Sequence, residues 1–247
     1  MKASTKILSS SGIKKLYQGR EVAEKYVGER FASEMGRLIH GRQVKFVNQA
    51  IMALQPRRVL EIASGPGRLT RDVKLRGLLF CLEYNEGMID QGRSAYEGKA
   101  TWIRGDGFQL PFGQVFDVVY CFRFVRHFHR KDRERLYSEI KRVLRPGGYF
   151  LMDAVNERFS KPLRVAHPEE YRVYDKLYRP DELREELSGA GLKPVALLPV
   201  QKYFGLQHRS QTFLGPRARW ANRLVIRTLE RLPRAEGLEW VVTCRRG

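Results

Sequence analysis

Short apolar runs and longer amphipathic stretches alternate along the chain, and this alternation predicts buried strands separated by helices. The runs are continuously apolar, as expected for strands that are covered on both faces. We expect seven strands, over residues 58–62, 78–82, 100–104, 116–122, 149–155, 194–204 and 239–244. The intervening periodicity and stop signals predict two helices within 19–54 and one each over 132–145, 180–189 and 217–232. The pattern is that of an α/β protein.

The first predicted strand leads into the glycine loop Glu61-Ile62-Ala63-Ser64-Gly65-Pro66-Gly67. Glycines at 65 and 67 let the backbone approach a ligand closely, and a helix starting after them would offer unpaired N–H groups. A dinucleotide fingerprint requires a third glycine where this chain has Thr70. Glu61 would repel a pyrophosphate but would attract a ligand that carries positive charge. The loop therefore favours a cationic ligand over a dinucleotide.

The loop Glu61-x-Ala63-x-Gly65-x-Gly67 resembles the acid-x-Gly-x-Gly-x-Gly motif of class I methyltransferases that depend on S-adenosylmethionine (SAM), with Ala63 in place of the first glycine. The resemblance continues through Gly105-Asp106-Gly107-Phe108-Gln109-Leu110-Pro111-Phe112 and the turn Leu144-Arg145-Pro146-Gly147-Gly148, and so covers residues 58–156. It implies a Rossmann-like fold in which a seven-stranded, mostly parallel sheet has helices on both faces and an N-terminal helical cap. The family's strand order is 3-2-1-4-5-7-6, with the last strand antiparallel.

The resemblance also implies where the cofactor binds. Glu83, at the end of the second strand, would bind the ribose hydroxyls, and Asp106 would accept a hydrogen bond from the adenine amino group. N-terminal helices cover the cofactor in this family, so Tyr26 is a candidate contact, with core packing as its alternative. The residues expected at the cofactor are Tyr26, Glu61, Ala63, Ser64, Gly65, Gly67, Glu83, Tyr84, Met88, Asp106, Gly107 and Cys121.

A basic cluster begins where the fourth strand would deliver residues to the ligand side of the sheet. Arg123 and Arg126 could meet an acidic group of a substrate, and His127 could remove a proton from a hydroxyl or an amine. The alternative for His127 is packing against a helix. The polar and aromatic stretch 156–178 is expected to form a substrate lid, with Tyr174 as a candidate substrate contact. Few further groups are needed, because alignment supplies much of the rate of a methyl transfer.

The length of 247 residues suits one α/β domain with appended helices. We expect a single methyltransferase domain with a helical cap over 1–55, a SAM-binding core over 56–156, a lid with amphipathic helices over 157–235 and a closing strand over 236–247. The three cysteines lack the spacing of a metal site and the even count of a disulfide framework, so we expect no metal and a reducing, cytoplasmic compartment. They are Cys81, Cys121 and Cys244.

The charge of the chain is strongly positive, with 46 Lys and Arg against 27 Asp and Glu, a net charge of +19. Such a field attracts polyanions. The predicted helix 217–232 carries arginines at every fourth position, beside a second row that is mostly apolar. The arginines are Arg219, Arg223, Arg227 and Arg231, and the second row is Trp220, Leu224, Thr228 and Leu232. Three interpretations remain open: peripheral attachment to an anionic membrane, binding of RNA phosphates, and a solvated face whose apolar side packs on the core.

These observations predict a SAM-dependent methyltransferase that moves a methyl group to a small-molecule or amphiphilic acceptor. An RNA methyltransferase is one alternative, supported by charge alone, because Tyr120-Cys121-Phe122-Arg123 replaces the Asn/Asp-Pro-Pro-aromatic turn of enzymes that act on base amines. Cys121 stands near the nucleophile position of cytosine-C5 enzymes, but no proline precedes it, and a core cysteine is favoured. The other alternative is a non-catalytic binding or assembly protein with the SAM fold, for which Ala63 is the only hint in the motifs.

Overall fold

The computed structural model describes residues 33–171, 173–233 and 236–247. Eight strands form one sheet in these residues. The strands are β1 (Arg58–Ile62), β2 (Leu78–Glu83), β3 (Thr101–Arg104), β4 (Phe116–Cys121), β5 (Leu144–Asn156), β6 (Leu177–Tyr178), β7 (Leu192–Val200) and β8 (Glu239–Arg246). The α-helices are α1 (Glu34–Leu54), α2 (Glu86–Ala95), α3 (Arg130–Val143), α4 (Glu157–Ala166), α5 (Pro180–Gly189), α6 (Phe204–Phe213) and α7 (Arg219–Arg231).

The strand order is β3-β2-β1-β4-β5-β8-β7, with the two-residue β6 paired to β5 outside this path. Strand β8 is antiparallel to both of its neighbours, and the other pairs are parallel. Without β6, this is the order 3-2-1-4-5-7-6 that the family resemblance implied. The predicted Rossmann-like α/β fold is confirmed.

The sheet is covered on both faces because successive strand residues point to opposite sides. In β1, Val59 packs in a cluster with Val47 of α1, whereas the next residue, Leu60, packs in a second cluster with Ile140 of α3. All four side chains are fully buried. The continuous apolar runs of the sequence therefore correspond to strands that separate two cores.

Two predicted helices differ from the structure, and the prediction of two helices within 19–54 is tested only over the described residues. The helix expected to reach residue 145 ends at Val143, because the chain becomes extended at Leu144 and continues directly as β5. The helix expected after Gly67 is a single 3-10 turn, Thr70–Asp72, whose first side chain is hydrogen-bonded to the end of β1 instead. The described part of 19–54 forms one continuous helix, α1, which begins at the N-cap Ser33.

The orientation of α7 corrects one interpretation of the basic helix. Its buried residues are Asn222, Ile226 and Glu230. Trp220 and Leu224 of the second row are instead exposed to solvent. The second row of this helix therefore does not pack on the core, and the helix packs through Ile226 instead. No helix within the described ranges combines the length and the apolar character that crossing a membrane requires.

Candidate active site

A cavity lies at the carboxyl ends of β1, β2 and β4, and we call it the sheet-edge cavity. Ligands of open α/β sheets bind at this edge, where connections leave in opposite directions. Nine of the residues singled out in the sequence line the cavity. They are Ala63, Gly65, Glu83, Tyr84, Met88, Asp106, Gly107, Arg123 and His127.

The remaining walls are mostly apolar, and sequence reasoning did not identify them as site residues. Phe124 and Phe128 make an edge-to-face contact with ring centroids 5.0 Å apart, and Phe108 packs on Phe128 at 4.9 Å. A Cβ atom at Gly107 would lie 3.0 Å from the ring of Phe124, so this position suits glycine. The phenylalanines that follow β4 in the sequence, Phe122, Phe124 and Phe128, could have indicated an aromatic wall. The other unpredicted lining residues are Ile62, Leu82, Asn85, Gly105 and Phe122.

Glu83 forms a carboxylate anchor at the end of β2. Its Oε2 accepts the backbone N–H of Gly65 at 2.9 Å, and its Oε1 accepts those of Tyr84 and Asn85 at 2.8 and 2.9 Å. Burial raises the pKa of this carboxyl, although the three N–H donors favour the ionised form. Since a carboxylate has about four acceptor positions, Glu83 retains one for a ligand hydroxyl.

Glu61 lies behind the glycine loop and does not line the cavity. Its Oε2 accepts hydrogen bonds from the hydroxyls of Thr70 and Tyr120, both at 2.7 Å. Burial raises the pKa of its carboxyl to about 7, while these two hydrogen bonds and Arg68 lower it. Near neutral pH the carboxyl is therefore close to its titration midpoint.

Three other residues expected at the cofactor lie outside the sheet-edge cavity. Ser64 is buried, and its Oγ has no hydrogen-bond partner. Gly67 has a φ of +81°, and a Cβ there would approach Tyr96 to 2.8 Å. This position therefore suits glycine because the ring of Tyr96 packs closely against its backbone. Cys121 belongs to the hydrophobic core, where burial raises the pKa of its thiol. Tyr26 lies outside the described residues.

A second cavity adjoins the first, and we call it the lid cavity. Arg123 and His127 line both cavities. The predicted lid contributes Arg164 and Tyr171 to its wall, and α6 contributes Phe204. The wall therefore combines aromatic surface with cationic and acidic groups, and the acidic ones include Glu169 and Glu170.

Arg126 also lines the lid cavity, but carboxylates already surround its guanidinium. Its Nη1 donates to Glu239 at 2.6 Å and to Asp153 at 3.1 Å, and its Nε lies 3.3 Å from Asp175. Arg123 differs, because no ion pair joins its guanidinium to a carboxylate of the described residues, and its Nε is buried without a hydrogen-bond partner. Its backbone is held at a φ of +59°, with its N–H donated to Asp153 at 2.6 Å. Of the two arginines, Arg123 is the one available to an anionic ligand.

His127 has a defined tautomer because its Nδ1 lies 3.0 Å from the carbonyl oxygen of Tyr174, which can only accept a hydrogen bond. Nδ1 therefore carries hydrogen, and it also lies 2.8 Å from Oδ1 of Asp175. Nε2 is buried and has no hydrogen-bond partner in the described chain. In the neutral ring, Nε2 holds a lone pair that can accept a proton.

Asp175 is suited to orient this imidazole. Burial alone would raise the pKa of its carboxyl, but Arg126, His127 and Arg164 hold that pKa well below its ordinary value. Arg164 contributes a contact of 2.6 Å between its Nη2 and Oδ2. Tyr174 lines neither cavity, and its ring lies against that of His129, with centroids 4.3 Å apart and the ring planes tilted by 34°. The Tyr174 position thus contributes a backbone oxygen to the site.

The sheet-edge cavity fits a molecule with an aromatic base and a hydroxyl-bearing sugar. Its apolar walls can enclose a flat ring, and Glu83 keeps an acceptor position for hydroxyls. Gly65 and Ala63 adopt left-handed backbone angles, with φ of +57° and +54°, that open the loop between them. These features match the chemistry of SAM.

Comparisons with known proteins agree with this assignment. A family model described as "Methyltransferase domain" matches residues 60–152. A ubiquinone biosynthesis O-methyltransferase of Coxiella burnetii is 23% identical over 170 residues, which span 63% of this chain and 71% of the relative. The bifunctional biotin biosynthesis protein BioHC of Cellvibrio japonicus is 34% identical over 93 residues, 37% of this chain. This chain spans only 18% of the length of BioHC.

A solved structure extends the likeness beyond the central segment. Magnesium protoporphyrin IX methyltransferase (ChlM) of Synechocystis, with bound S-adenosylhomocysteine, superposes with a TM-score of 0.59 at 12% identity. The match covers 87% of this chain and 86% of ChlM, and at this identity it shows the fold. The family match, the sheet order and the geometry of the sheet edge agree. Residues 60–152 therefore carry a methyltransferase domain with the class I fold, and the cofactor is S-adenosyl-L-methionine.

Proposed function

We propose that the chain transfers the methyl group of SAM to a small, amphiphilic acceptor held in the lid cavity, with His127 as general base. The observation that carries the proposal is the position of His127 on the wall shared by the two cavities. Its unpartnered Nε2 supports the role of proton acceptor. The residues that would hold the cofactor are those of the sheet-edge cavity, with Glu83 at the ribose.

Bound SAM supplies an electrophilic methyl group on a sulfonium. His127 would take the proton of an acceptor hydroxyl or amine at Nε2 as the acceptor atom forms its bond to the methyl carbon and the bond from that carbon to sulfur breaks. Asp175 would stabilise the resulting imidazolium across the 2.8 Å contact to Nδ1. The protein walls position the acceptor and exclude water, which supplies much of the rate in such a displacement.

The nature of the lid cavity supports an amphiphilic acceptor with an acidic group. Tyr171 and Phe204 offer apolar surface, and Arg123 offers a guanidinium that pairs with no described carboxylate. The relatives named above are an O-methyltransferase of ubiquinone biosynthesis and a methyltransferase of magnesium protoporphyrin IX. Both names favour a small, largely apolar acceptor over RNA.

The proposal is tested first by calorimetric titration with SAM and S-adenosylhomocysteine. The second step incubates the protein with methyl-labelled SAM and a cell extract, which is then separated into small-molecule, lipid and RNA fractions. Label in the first two supports the proposal, whereas label in RNA alone favours the RNA alternative. Binding of the cofactor with no transfer to any fraction favours a non-catalytic binding protein.

His127→Asn tests the base directly, because the asparagine amide can still donate to the Tyr174 carbonyl but provides no counterpart of Nε2. We expect unchanged SAM affinity and a turnover about 10²- to 10⁴-fold lower. The matched control is His129→Asn, since His129 is exposed and lines neither cavity. If both variants turn over at the wild-type rate, His127 is not the base.

A further inference from the structure

The helical hairpin formed by α6 and α7 exposes an unusual amount of large apolar surface. Five of the eleven exposed large hydrophobic side chains of the described residues fall within residues 206–232. Trp220 is 75% exposed, Phe213 64% and Leu224 60%. Single exposed apolar residues are ordinary, but a concentration of this kind marks a binding surface. We call this set the hairpin face; its members are Leu206, Phe213, Trp220, Leu224 and Leu232.

Hydrogen bonds between α6 and α7 fix which side of α7 faces solvent. Ser210 of α6 donates its hydroxyl to Asn222 of α7 at 2.8 Å. Gln207 donates its amide to the buried carboxylate of Glu230 at 3.0 Å. Two polar residues of α7, Asn222 and Glu230, are therefore turned inward, where they are hydrogen-bonded, and Trp220 and Leu224 are turned outward. A rotation that buried Trp220 would break these buried contacts.

Cations surround the hairpin face. Residues 201–233 contain seven Lys and Arg and one acid, Glu230, which is buried. Arg219, Arg223, Arg227 and Arg231 of α7 are all exposed. A groove between α7 and α1 adds three further cationic side chains, and of the α7 arginines Arg223 makes a contact of 3.2 Å with Glu34. The added cations are Arg37, Arg42 and Lys45.

We propose that the hairpin face binds the surface of an anionic lipid membrane. Tryptophan and leucine side chains enter the boundary between headgroups and acyl chains, and arginines around them contact lipid phosphates. RNA would use the same arginines, and Trp220 could stack on a base. The aliphatic side chains Leu206, Leu224 and Leu232 would contribute nothing to such stacking, whereas a lipid surface uses all of them.

The position of the hairpin gives this surface a consequence for the acceptor. Phe204, the first residue of α6, and Ile39 of α1 line the lid cavity. One of the two helices that would touch the membrane, α6, therefore also borders the cavity proposed for an amphiphilic acceptor. This link to the acceptor rests on the proposed function, but membrane binding itself does not require it and is tested without any turnover.

The test is flotation of the full chain with vesicles of phosphatidylcholine alone and of phosphatidylcholine with about 30% phosphatidylglycerol, in about 0.1 M salt. Fluorescence gives a second readout. Of the three tryptophans, Trp102 is 9% exposed and Trp240 is 2% exposed, so a spectral change on vesicle addition reports on Trp220. We expect flotation with the anionic vesicles and a blue shift of the emission.

Three double variants separate the contributions of apolar and cationic side chains to vesicle binding. Trp220→Ser with Leu224→Ser should lower the bound fraction at least about tenfold, and Arg219→Gln with Arg227→Gln should lower it and weaken its salt dependence. The matched control changes Val195 and Leu198 to Ser, exposed apolar residues of β7 outside the hairpin. This control should float like the wild type, and SAM titration checks that every variant is folded.

Several results would overturn the proposal. They are absence of flotation with anionic vesicles, equal flotation with neutral vesicles, and binding that survives the Trp220 and Leu224 changes. A fourth is tight binding of a single-stranded RNA oligonucleotide without vesicle binding, which would assign the arginines to RNA. Failure of methyl transfer in the extract experiment would leave the vesicle result intact, so the two proposals fail separately.

Discussion

The buried carboxyl of Glu61 should make the stability of the protein depend on pH in a way that Glu61→Gln removes. The carboxyl is 3% exposed, and its pKa is raised from 4.5 to about 7. Below pH 4.5 it is protonated in both the folded and the unfolded chain. Between pH 4.5 and 7 the unfolded chain ionises first, so the contribution of Glu61 to stability falls as pH rises, and it levels off above pH 7.

The expected magnitude follows from the proton affinities. Each tenfold difference in proton affinity between the folded and unfolded states corresponds to about 1.4 kcal/mol, so ionised Glu61 costs the native state about 3 kcal/mol. A glutamine is neutral at every pH, and its carbonyl oxygen can still accept from Thr70 and Tyr120. The free energy of unfolding of Glu61→Gln, relative to wild type, should therefore rise by about 3 kcal/mol between pH 4.5 and pH 8.

The measurement is urea unfolding followed by circular dichroism at several pH values across this range. The difference between the variant and the wild type cancels the titration of other groups. Glu86→Gln is the matched control, because Glu86 is an exposed glutamate whose partner, Arg104, is also exposed. A difference for Glu61→Gln that stays flat with pH, as expected for the control, would refute the assignment of Glu61 as a carboxyl whose ionisation the fold opposes.

Two further predictions concern packing and thiol chemistry. Gly92→Ala should destabilise the protein by about 1–3 kcal/mol in thermal unfolding, because the added Cβ would lie 2.2 Å from the ring of Trp102. The control Gly41→Ala, in a helix with open space around the glycine, should be neutral or stabilise the protein by up to about 1 kcal/mol. Equal effects of the two substitutions would contradict the packing argument. Burial raises the pKa of all three thiols, so Ellman's reagent should react with none of them in the native protein at pH 8 and with all three in urea, and rapid reaction of the native chain would contradict their placement. These thiols are Cys81, Cys121 and Cys244.

The sheet and its ligand edge could be predicted because their signals are local. At Glu61 and Gly65, a strand with an acid at its end leads into glycines, and these consecutive residues are enough to predict the strand and the loop. The backbone contacts of Glu83 follow from its position at the end of the next strand. The strands and the contacts at their ends depend on residues that are close in the sequence, so the pattern of apolar and polar residues is enough to predict them.

The lid cavity could not be predicted because its contacts join distant segments. Asp175 meets His127 from 48 positions away, and Glu239 meets Arg126 from 113 positions away. Helical periodicity likewise defined the faces of α7 but not which face is buried, since Asn222 and Glu230 are buried among partners on other segments, including α6 and α1. Pairing of this kind is a property of the folded chain.

The position of β8 in the sheet determines which strand edges stay unpaired while the chain is being synthesised. Strand β8 lies between β5 and β7, although it is the last described strand to be made. At about 5–20 residues per second, the ribosome completes β7 about 2 to 9 seconds before β8, and during that time both neighbouring edges lack their partner. Unpaired edges are templates for association with other chains. Because Glu239 of β8 also closes the ion cluster around Arg126, the lid cavity stays unfinished until β8 has paired with its neighbours.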